Sequence, residues 1–278
     1  MSRSHSSLSR ARLAAAAGIT SLAALSVLAL LASVLVGVAH SAAPPLSPPT
    51  GPHLGNLKCV GIVVNVTVDN VVVPRGAVCL LERVEVRGSV LAKPASFIAL
   101  NPGTLVRGDV EVKQGAGLFV FDAKVGGNVK CDGCLPRTMA TSDVGGNVQI
   151  TDALTGVSMR STDVVGDLEI TGTVGGFPIF VQQSVVHGNV KLEKNIPGVT
   201  FSDTTVGGNF QVFEGTDGNL TFNTVGGNMQ VFKNLSAVPM QITGNTIAQA
   251  LQCQDNQPPP VSFANSARSF EGQCGPPG

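Results

Sequence analysis

A short phrase of the form V-x-G-N-V-x-V returns throughout the middle of this chain. Two late copies, VGGNFQVF at 206–213 and VGGNMQVF at 225–232, are nearly identical. The second glycine of each copy recurs at nearly regular intervals, at Gly88, Gly108, Gly127, Gly146, Gly166, Gly188, Gly208 and Gly227. A sequence period of about 20 residues is typical of a solenoid in which each repeat forms one coil.

Within each copy, apolar and polar residues alternate with the period of a half-buried β-strand. In one copy, Val129 and Cys131 are expected to face inward and Lys130 outward. We therefore predict an all-β, single-domain parallel β-helix of nine or ten coils with about 20 residues per coil. The right-handed type is expected, because such coils exceed the roughly 18 residues of a strict hexapeptide helix.

The Gly-Asn pair of each copy is expected to form a corner, since both residue types tolerate a left-handed backbone. Coils stacked about 4.8 Å apart align equivalent residues in a ladder whose amides can hydrogen-bond along the stack. The predicted corner ladder consists of Asn128, Asn147, Asp167, Asn189, Asn209 and Asn228. The glycines are also compatible with a calcium-binding repeat, but its GGxGxDxUx unit is absent.

A second strand is predicted before each copy. Its alternation suggests that Phe119 and Phe121 point inward. Phe180, Phe201 and Phe222 follow one another at equal steps close to the coil period and are expected to stack in the core. An aromatic stripe can bind sugars, but inward Phe residues favour a core assignment.

The outward position of the repeat strand predicts a polar row along the stack. Its residues are Glu111, Lys130, Gln149, Glu169, Lys191, Gln211, Gln230 and Gln252. Opposite charges on adjacent coils stabilise a parallel stack, so Glu111 is expected beside Lys130 and Glu169 beside Lys191. A solvated face explains this row more simply than a binding site does.

The six cysteines are spaced for disulfides between neighbouring coils or within one coil. Cys59 and Cys79 are separated by about one coil period, and so are Cys253 and Cys274. Such a spacing brings the two residues onto neighbouring coils at a separation that suits a disulfide, so each pair is expected to close one end of the solenoid. The Cys131–Cys134 CxxC is predicted to be a small-loop disulfide or a structural pair, because redox or zinc chemistry needs a context that is missing.

The N-terminus resembles an export signal. Three Arg residues precede the apolar run at 13–39, and small residues follow it. We predict a signal peptide or an uncleaved N-terminal anchor at 1–42, a Pro-rich linker at 43–56, a β-helix at 57–256, and a C-terminal cap at 257–278 closed by Cys253–Cys274. The expected location is secreted or cell-surface, with membrane contact only through an uncleaved N-terminal segment.

Charge excludes one class of partner. Beyond residue 42 the chain has 15 Lys and Arg against 18 Asp and Glu, a net charge of −3. A nucleic-acid-binding protein needs a basic face for phosphates, so nucleic acid is not an expected partner.

The ends of the repeat region carry a resemblance. VVVPRGAVC at 71–79, the GN-V repeats, ITGNTIAQALQCQDNQPPP at 242–260 and EGQC at 271–274 resemble a group of exported, largely uncharacterised β-helix proteins of actinobacteria and other bacteria. The usual pattern of that group has Gly-Gly-Asn-Leu-Gln-Cys where this chain has IAQALQC, so the last corner is expected to be distorted. The resemblance implies the fold and the exported compartment, and no activity. The repeats also look similar to those of bactofilins, which polymerise.

Candidates for catalysis are few. Asp143 and Asp163 precede the repeat phrase in successive coils, so stacking would bring two carboxylates close enough to share a cation or to raise one pKa. A solvated pair of turn residues is the simpler interpretation. His187 occupies a corner and is expected to be exposed. No metal site, cofactor site, Ser-His-Asp order or phosphate loop is predicted.

These observations favour a non-catalytic secreted or cell-surface protein that presents a rigid polar face to cell-wall glycan or a protein partner. One alternative is a polysaccharide-acting enzyme that uses Asp143 and Asp163. Another is a self-assembling surface scaffold. Ice binding requires regular threonine ladders, whereas Thr204, Thr205, Thr221, Thr224 and Thr243 appear scattered in the sequence.

Overall fold

A computed structural model describes residues 51–196 and 198–275. This part of the chain is all-β and contains no helix. Three parallel sheets run along the stack, and each coil contributes one strand to each sheet in the order A, B, C. The predicted parallel β-solenoid is therefore confirmed.

The strands are short and regular. Those of sheet A are His53–Leu54, Thr67–Val68, Glu85–Val86, Leu105–Val106, Lys124–Val125, Asp143–Val144, Asp163–Val164, Val185–Val186, Thr205–Val206, Thr224–Val225 and Thr246–Ile247. Those of sheet B are Leu57–Lys58, Val71–Val73, Val90–Ala92, Val110–Val112, Val129–Asp132, Val148–Thr151, Leu168–Thr171, Val190–Glu193, Phe210–Phe213, Met229–Phe232, Ala250–Gln254 and Ser269–Gly272. Those of sheet C are Gly61–Val64, Val78–Glu82, Phe97–Leu100, Gly117–Phe121, Leu135–Ala140, Ser158–Arg160, Ile179–Gln182, Val199–Ser202, Gly218–Thr221, Gln241–Thr243 and Val261–Phe263.

The solenoid has about eleven coils rather than the predicted nine or ten, because it extends beyond both predicted boundaries. His53–Leu54 pairs with Thr67–Val68, so strand pairing begins inside the predicted linker at 43–56. At the other end, Val261–Phe263 completes the eleventh coil and Ser269–Gly272 pairs with Ala250–Cys253, so the predicted cap at 257–278 contains one strand of sheet C and one of sheet B. The first coil is shorter than the others and departs from the repeat spacing, which hid it from the sequence analysis.

In the core, inward-facing side chains at equivalent positions of successive coils stack into buried columns. The second residue of each sheet A strand after the first belongs to such a column, as in Val125, Val144 and Val164, which are at most 1% exposed. Stacking β-branched side chains on identical positions of adjacent coils fills the interior closely. Phe201 and Phe210 pack at its centre, with ring centroids 4.4 Å apart.

The aromatic prediction was partly wrong. Phe201 is fully buried, but Phe180 is 39% exposed and Phe222 is 64% exposed. Phe180 pairs with Thr200, one residue out of phase with Phe201, and therefore points to the opposite face. Phe119 and Phe121 are not in the core either, because Leu118 and Val120 take the buried positions of their strand.

At two corners of each coil, one residue adopts the left-handed backbone conformation, with a positive φ. One follows the sheet C strand, as at Asp122 with φ 47° and Thr141 with φ 47°. The other follows the sheet B strand, as at Gly133 with φ 56° and Asp152 with φ 50°. Such short polar residues and glycine accept this backbone at low cost.

The Gly-Asn corner uses glycine for a different reason from the predicted one, because its residues are not at positive φ. A β-carbon on Gly127 would lie 2.4 Å from Asp109 Oδ1 and 2.8 Å from the Gly108 carbonyl carbon. A β-carbon on Gly146 would lie 2.6 Å from Asn128 Oδ1. The glycines are therefore required by the close approach of one coil to the next.

A buried polar ladder, missed by the sequence analysis, lies at the corner between sheets C and A. Asn245 Oδ1 accepts hydrogen bonds from the backbone N–H of Asn223 at 2.9 Å and from Asn223 Nδ2 at 3.0 Å. Asn245 Nδ2 donates to the Leu220 carbonyl at 2.8 Å. The ladder comprises Thr104, Ser142, Thr162, Ser184, Thr204, Asn223 and Asn245, all at most 2% exposed. These side chains satisfy backbone groups that the turn leaves unpaired in the core.

Three cysteine pairs lie at disulfide distance. The Cα–Cα separations are 5.6 Å for Cys59–Cys79, 5.5 Å for Cys131–Cys134 and 5.2 Å for Cys253–Cys274. The first and last pairs join neighbouring coils at the two ends, and the middle pair spans one corner. Such pairs are compatible with an extracytoplasmic location.

The predicted signal peptide or anchor at 1–42 and most of the linker lie outside the described residues. Within the described residues, no helix is long and apolar enough to cross a membrane. The hand of the β-helix stays a prediction.

Replacing Gly127 with Ala is expected to lower the free energy of unfolding by about 1–3 kcal/mol, because the new methyl group overlaps the preceding corner. Urea unfolding of the purified protein measures this loss. Gly176→Ala is the matched control, since a β-carbon there meets no atom within 4 Å and the residue has no positive φ. Equal stability of the two variants would contradict the close-approach explanation.

Replacing Asn245 with Ala is expected to cost about 1–3 kcal/mol, because the Asn223 N–H loses its acceptor in a buried site. Asn189→Ala removes an equivalent acceptor from the exposed corner, where water can replace it, so its loss should be smaller. Unfolding midpoints in urea compare the two variants. A larger loss for Asn189→Ala would argue against the role of burial.

Candidate functional site

The exposed Gly-Asn corner carries a continuous hydrogen-bonded ladder. Asn128 Oδ1 accepts from the backbone N–H of Asn147 at 2.9 Å, and Asn147 Oδ1 accepts from that of Asp167 at 2.8 Å. The same contact continues along the stack through Asp167, Asn189, Asn209, Asn228 and Ala250. It also extends toward the N-terminus through Asn70, Ser89 and Asp109. Each side chain therefore binds the backbone of the next coil, so the ladder oxygens are engaged within the protein.

The corner IAQA at 247–250 keeps this connection although it lacks the Gly-Gly-Asn residues. The backbone N–H of Ala250 donates to Asn228 Oδ1 at 3.1 Å, and that of Gln249 donates to the Gly227 carbonyl at 3.2 Å. The backbone of the last complete corner thus follows its neighbours, and the expected distortion is not seen in its hydrogen bonds.

The outward residues of sheet B form a polar row, defined as Glu111, Lys130, Gln149, Glu169, Lys191, Gln211, Gln230, Gln252 and Glu271. Every member pairs in register with the next, so the row crosses nine strands without interruption. Gln211 Nε2 donates to Gln230 Oε1 at 2.7 Å, and Gln230 Nε2 donates to Gln252 Oε1 at 2.7 Å. The interlocked amides hold one orientation and leave their remaining donors and acceptors toward solvent.

Charges within the polar row pair locally. Lys191 Nζ lies 3.5 Å from Glu169 Oε1, as expected from the sequence. Glu111 forms its ion pair with Lys113, the residue that follows its own strand, instead of the expected Lys130. A shallow depression of about 270 Å³ lies beside Glu111, Lys113 and Lys130.

Lys191 and Glu193 form a close charged pair on this face. Lys191 Nζ lies 2.6 Å from Glu193 Oε2. The hydrogen bond to Glu193 raises the pKa of Lys191, and attraction to Glu169 adds to this effect. The hydrogen bond from Lys191 lowers the pKa of Glu193, aided by Lys194. The ionised forms of both residues are thus favoured in the folded protein.

Asp143 and Asp163, the candidate catalytic residues, are register partners on adjacent strands of sheet A. Asp143 Oδ2 lies 2.9 Å from Lys124 Nζ, and Asp163 Oδ1 lies 3.0 Å from Nε2 of His187. The stacked carboxylates therefore each contact a different side chain along the same edge of sheet A. His187, 56% exposed, contacts Asp163 across the corner. This arrangement favours a surface charge cluster over an acid–base pair in a cleft.

No metal centre is apparent in the described part of the chain. No group of three or more His, Cys, Asp or Glu side chains there is arranged to hold a metal ion. The cysteines expected to be structural are each paired with another cysteine.

Threonines that look scattered in the sequence align in the structure. Thr205 pairs with Thr224, and Thr224 pairs with Thr246, on three successive strands of sheet A. All three are exposed, whereas Thr204 is buried in the corner ladder. The result is a hydroxyl stripe one residue wide, which we call the threonine row.

An apolar groove on sheet C is a further feature that the sequence analysis missed. Phe119, Phe177 and Phe180 line it, together with Arg137. One indication of it is present in the sequence. Every residue of the GLFVF strand at 117–121 other than glycine is apolar, and alternation therefore cannot identify which face of this strand points inward.

No protein-family model, curated protein or solved structure matches this chain.

Replacing Glu193 with Gln is expected to change how stability depends on pH. Because folding lowers the pKa of Glu193 below its ordinary value of 4.5, its contribution is present above that value and is lost as pH falls through the lowered folded-state pKa. Folding raises the pKa of Lys191. The stability that this residue contributes is therefore present at lower pH and is lost as pH rises through the raised folded-state value. Solvent screening keeps the difference between wild type and variant below about 1 kcal/mol at neutral pH.

Urea midpoints at low salt measure this difference, which should shrink as pH falls through the lowered folded-state pKa of Glu193 and the carboxyl group becomes neutral. Glu214→Gln is the control for removing one negative charge nearby, since that carboxylate lies 3.8 Å from Lys194 Nζ. A difference of the same size at acidic and neutral pH would refute the proposed role of the ion pair.

Proposed function

We propose that this protein is a non-catalytic secreted or cell-surface binding module whose polar row contacts cell-wall glycan. The observation that carries the proposal is the unbroken register of the polar row across nine strands of sheet B. Equivalent groups repeat about every 4.8 Å along it, so a polymer that repeats its own hydroxyl groups can make the same contact many times.

Rigidity supports this function. Corner ladders and paired cysteines tie each coil to its neighbours, and the Gln side chains of the row are already held by one another. A surface that is ordered before binding loses little conformational entropy when a ligand arrives. Weak contacts can therefore add up along an extended partner.

The chemistry of the row also suits a neutral hydroxyl-rich partner. Three successive members of its C-terminal half, Gln211, Gln230 and Gln252, are amides, which both donate and accept hydrogen bonds. Of its charged members, Glu111, Glu169 and Lys191 form ion pairs within the protein, whereas Lys130 forms none with the described residues. Binding of a protein partner and self-assembly of the chain are competing functions, and the experiment below separates them.

Polysaccharide hydrolysis or cleavage is disfavoured by the arrangement of Asp143 and Asp163. Each carboxylate is engaged by its own basic partner, Lys124 or His187, on an exposed edge. General acid catalysis needs a carboxyl group placed against the scissile bond with its protonation tuned by a cleft.

The exported protein, with its N-terminus defined by mass spectrometry, is expected to pellet with insoluble cell-wall glycan without releasing sugar. A triple variant, Gln211→Ala with Gln230→Ala and Gln252→Ala, should weaken binding at least about tenfold, because several hydrogen bonds are lost together. The matched control replaces the threonine row, Thr205→Ala with Thr224→Ala and Thr246→Ala, on the same coils but on another face.

The other outcomes discriminate between the functions. Sugar release that disappears in Asp143→Ala would establish the enzyme. Absence of pelleting combined with large particles in light scattering would favour self-assembly. Pelleting that the threonine-row variant weakens as much as the glutamine variant would remove the polar row from the binding site.

A further inference from the structure

A half-open groove of about 710 Å³ lies on sheet C, a different sheet from the one that carries the polar row. Its volume is in the range of small-molecule sites, which are mostly apolar with a few placed polar groups. Phe97, Phe119, Phe177, Phe180, Leu135 and Pro136 supply much of its apolar lining.

The sheet register creates the groove. Phe119 is paired with Thr138, and Phe180 is paired with Ser158. Thr138 and Ser158 directly precede the register pair Met139–Met159, so their small side chains lie on adjacent coils between the two phenylalanines. Phe119 and Phe180 are thus three strand steps apart, roughly 14 Å, with a low hydroxyl-bearing floor between them.

Close backbone contacts hold the walls in place. A β-carbon on Gly117 would lie 2.4 Å from Phe97 Cδ2, so the Phe97 ring occupies the space above this glycine. A β-carbon on Gly156 would lie 2.5 Å from the carbonyl oxygens of both Phe177 and Pro178. The segment that carries Phe177 therefore rests directly on the neighbouring coil, which fixes the backbone of this wall.

Arg137 gives the groove its polarity. Leu118 pairs with Pro136 and Phe119 pairs with Thr138, so Arg137 is the extra residue of a β-bulge. A bulge redirects a side chain out of the regular alternation, and Arg137 lines the groove. It is the only charged residue of the lining. None of the ion pairs between described residues includes it.

We propose that this groove binds a small amphiphilic carboxylate, whose apolar body lies between Phe119 and Phe180 and whose carboxylate contacts Arg137. Apolar walls gain free energy by covering an apolar ligand. A guanidinium group without an internal counter-ion binds a carboxylate through two parallel hydrogen bonds.

A sugar polymer fits this groove less well. The side-chain hydrogen-bonding groups of the lining are the hydroxyls of Thr138, Thr155 and Ser158 and the guanidinium of Arg137. Thr155 Oγ1 already donates to the Pro136 carbonyl at 3.0 Å. A buried sugar ring would leave many of its hydroxyl groups without partners, which is costly.

The test uses the exported protein and two fluorescent probes, the anionic 8-anilinonaphthalene-1-sulfonate and the uncharged N-phenyl-1-naphthylamine. Saturable binding of the anionic probe is expected, with displacement by decanoate and not by glucuronate. Arg137→Gln should weaken the anionic probe roughly tenfold, because a charge-assisted hydrogen bond is lost, and should leave the neutral probe nearly unchanged. Ser158→Phe fills the floor and should abolish the binding of both.

Two control variants match these changes. Lys58→Gln removes one positive charge from sheet B outside the polar row, and Asn219→Phe adds a ring in the same outward column beyond the groove. Both should bind the probes as wild type does, and they share its N-terminal segment, so binding outside the groove cancels in the comparison. Unchanged affinity in Ser158→Phe, equal losses in Arg137→Gln and Lys58→Gln, or displacement by glucuronate would each overturn the proposal.

Discussion

The contact between one coil and the next governs the whole structure. Parallel strands place the coils about 4.8 Å apart, and at the Gly-Asn corner the backbones approach so closely that a β-carbon on Gly127 would overlap Asp109. At the same corner, a side-chain oxygen of one coil accepts the backbone N–H of the following coil. The same few residues therefore provide both the close packing of the coils and the hydrogen bonds of the backbone N–H groups at this corner.

Because these contacts between coils maintain the fold, the outward-facing residues of the three sheets can differ. The ladders, the buried columns and the end pairs Cys59–Cys79 and Cys253–Cys274 hold the coils in register. Sheet B can then carry an amide and charge row, sheet A the threonine row, and sheet C an aromatic groove, without any change to the interior. Function on such a scaffold depends on which outward residues the register aligns, because the backbone is nearly the same in every coil.

Sequence reasoning was most reliable where residues repeat with the period of the coil. The recurring Gly-Asn phrase predicted the coil and the stacking of Asn128 on Asn147, and the spacing of the cysteines predicted neighbours across coils. It was less reliable at the ends. His53–Leu54 pairs with Thr67–Val68 across a coil shorter than the repeat, and Ser269–Gly272 keeps the coil spacing but lacks the Gly-Asn phrase. It also assigned the corner glycines to backbone conformation, whereas the physical reason is the distance to the next coil, which involves residues a full coil away along the chain.

The period, the all-β alternation and the polar row are local properties of the chain, because each depends on residue types that recur at a regular interval. The direction of Phe119 and Phe180 is not local. In strands that are apolar at almost every position, alternation leaves both faces open, and packing against the neighbouring coils selects the inward one. The bulge at Arg137 is decided in the same way, since an extra residue is defined only by comparison with the strand beside it. The groove therefore exists only in the folded stack.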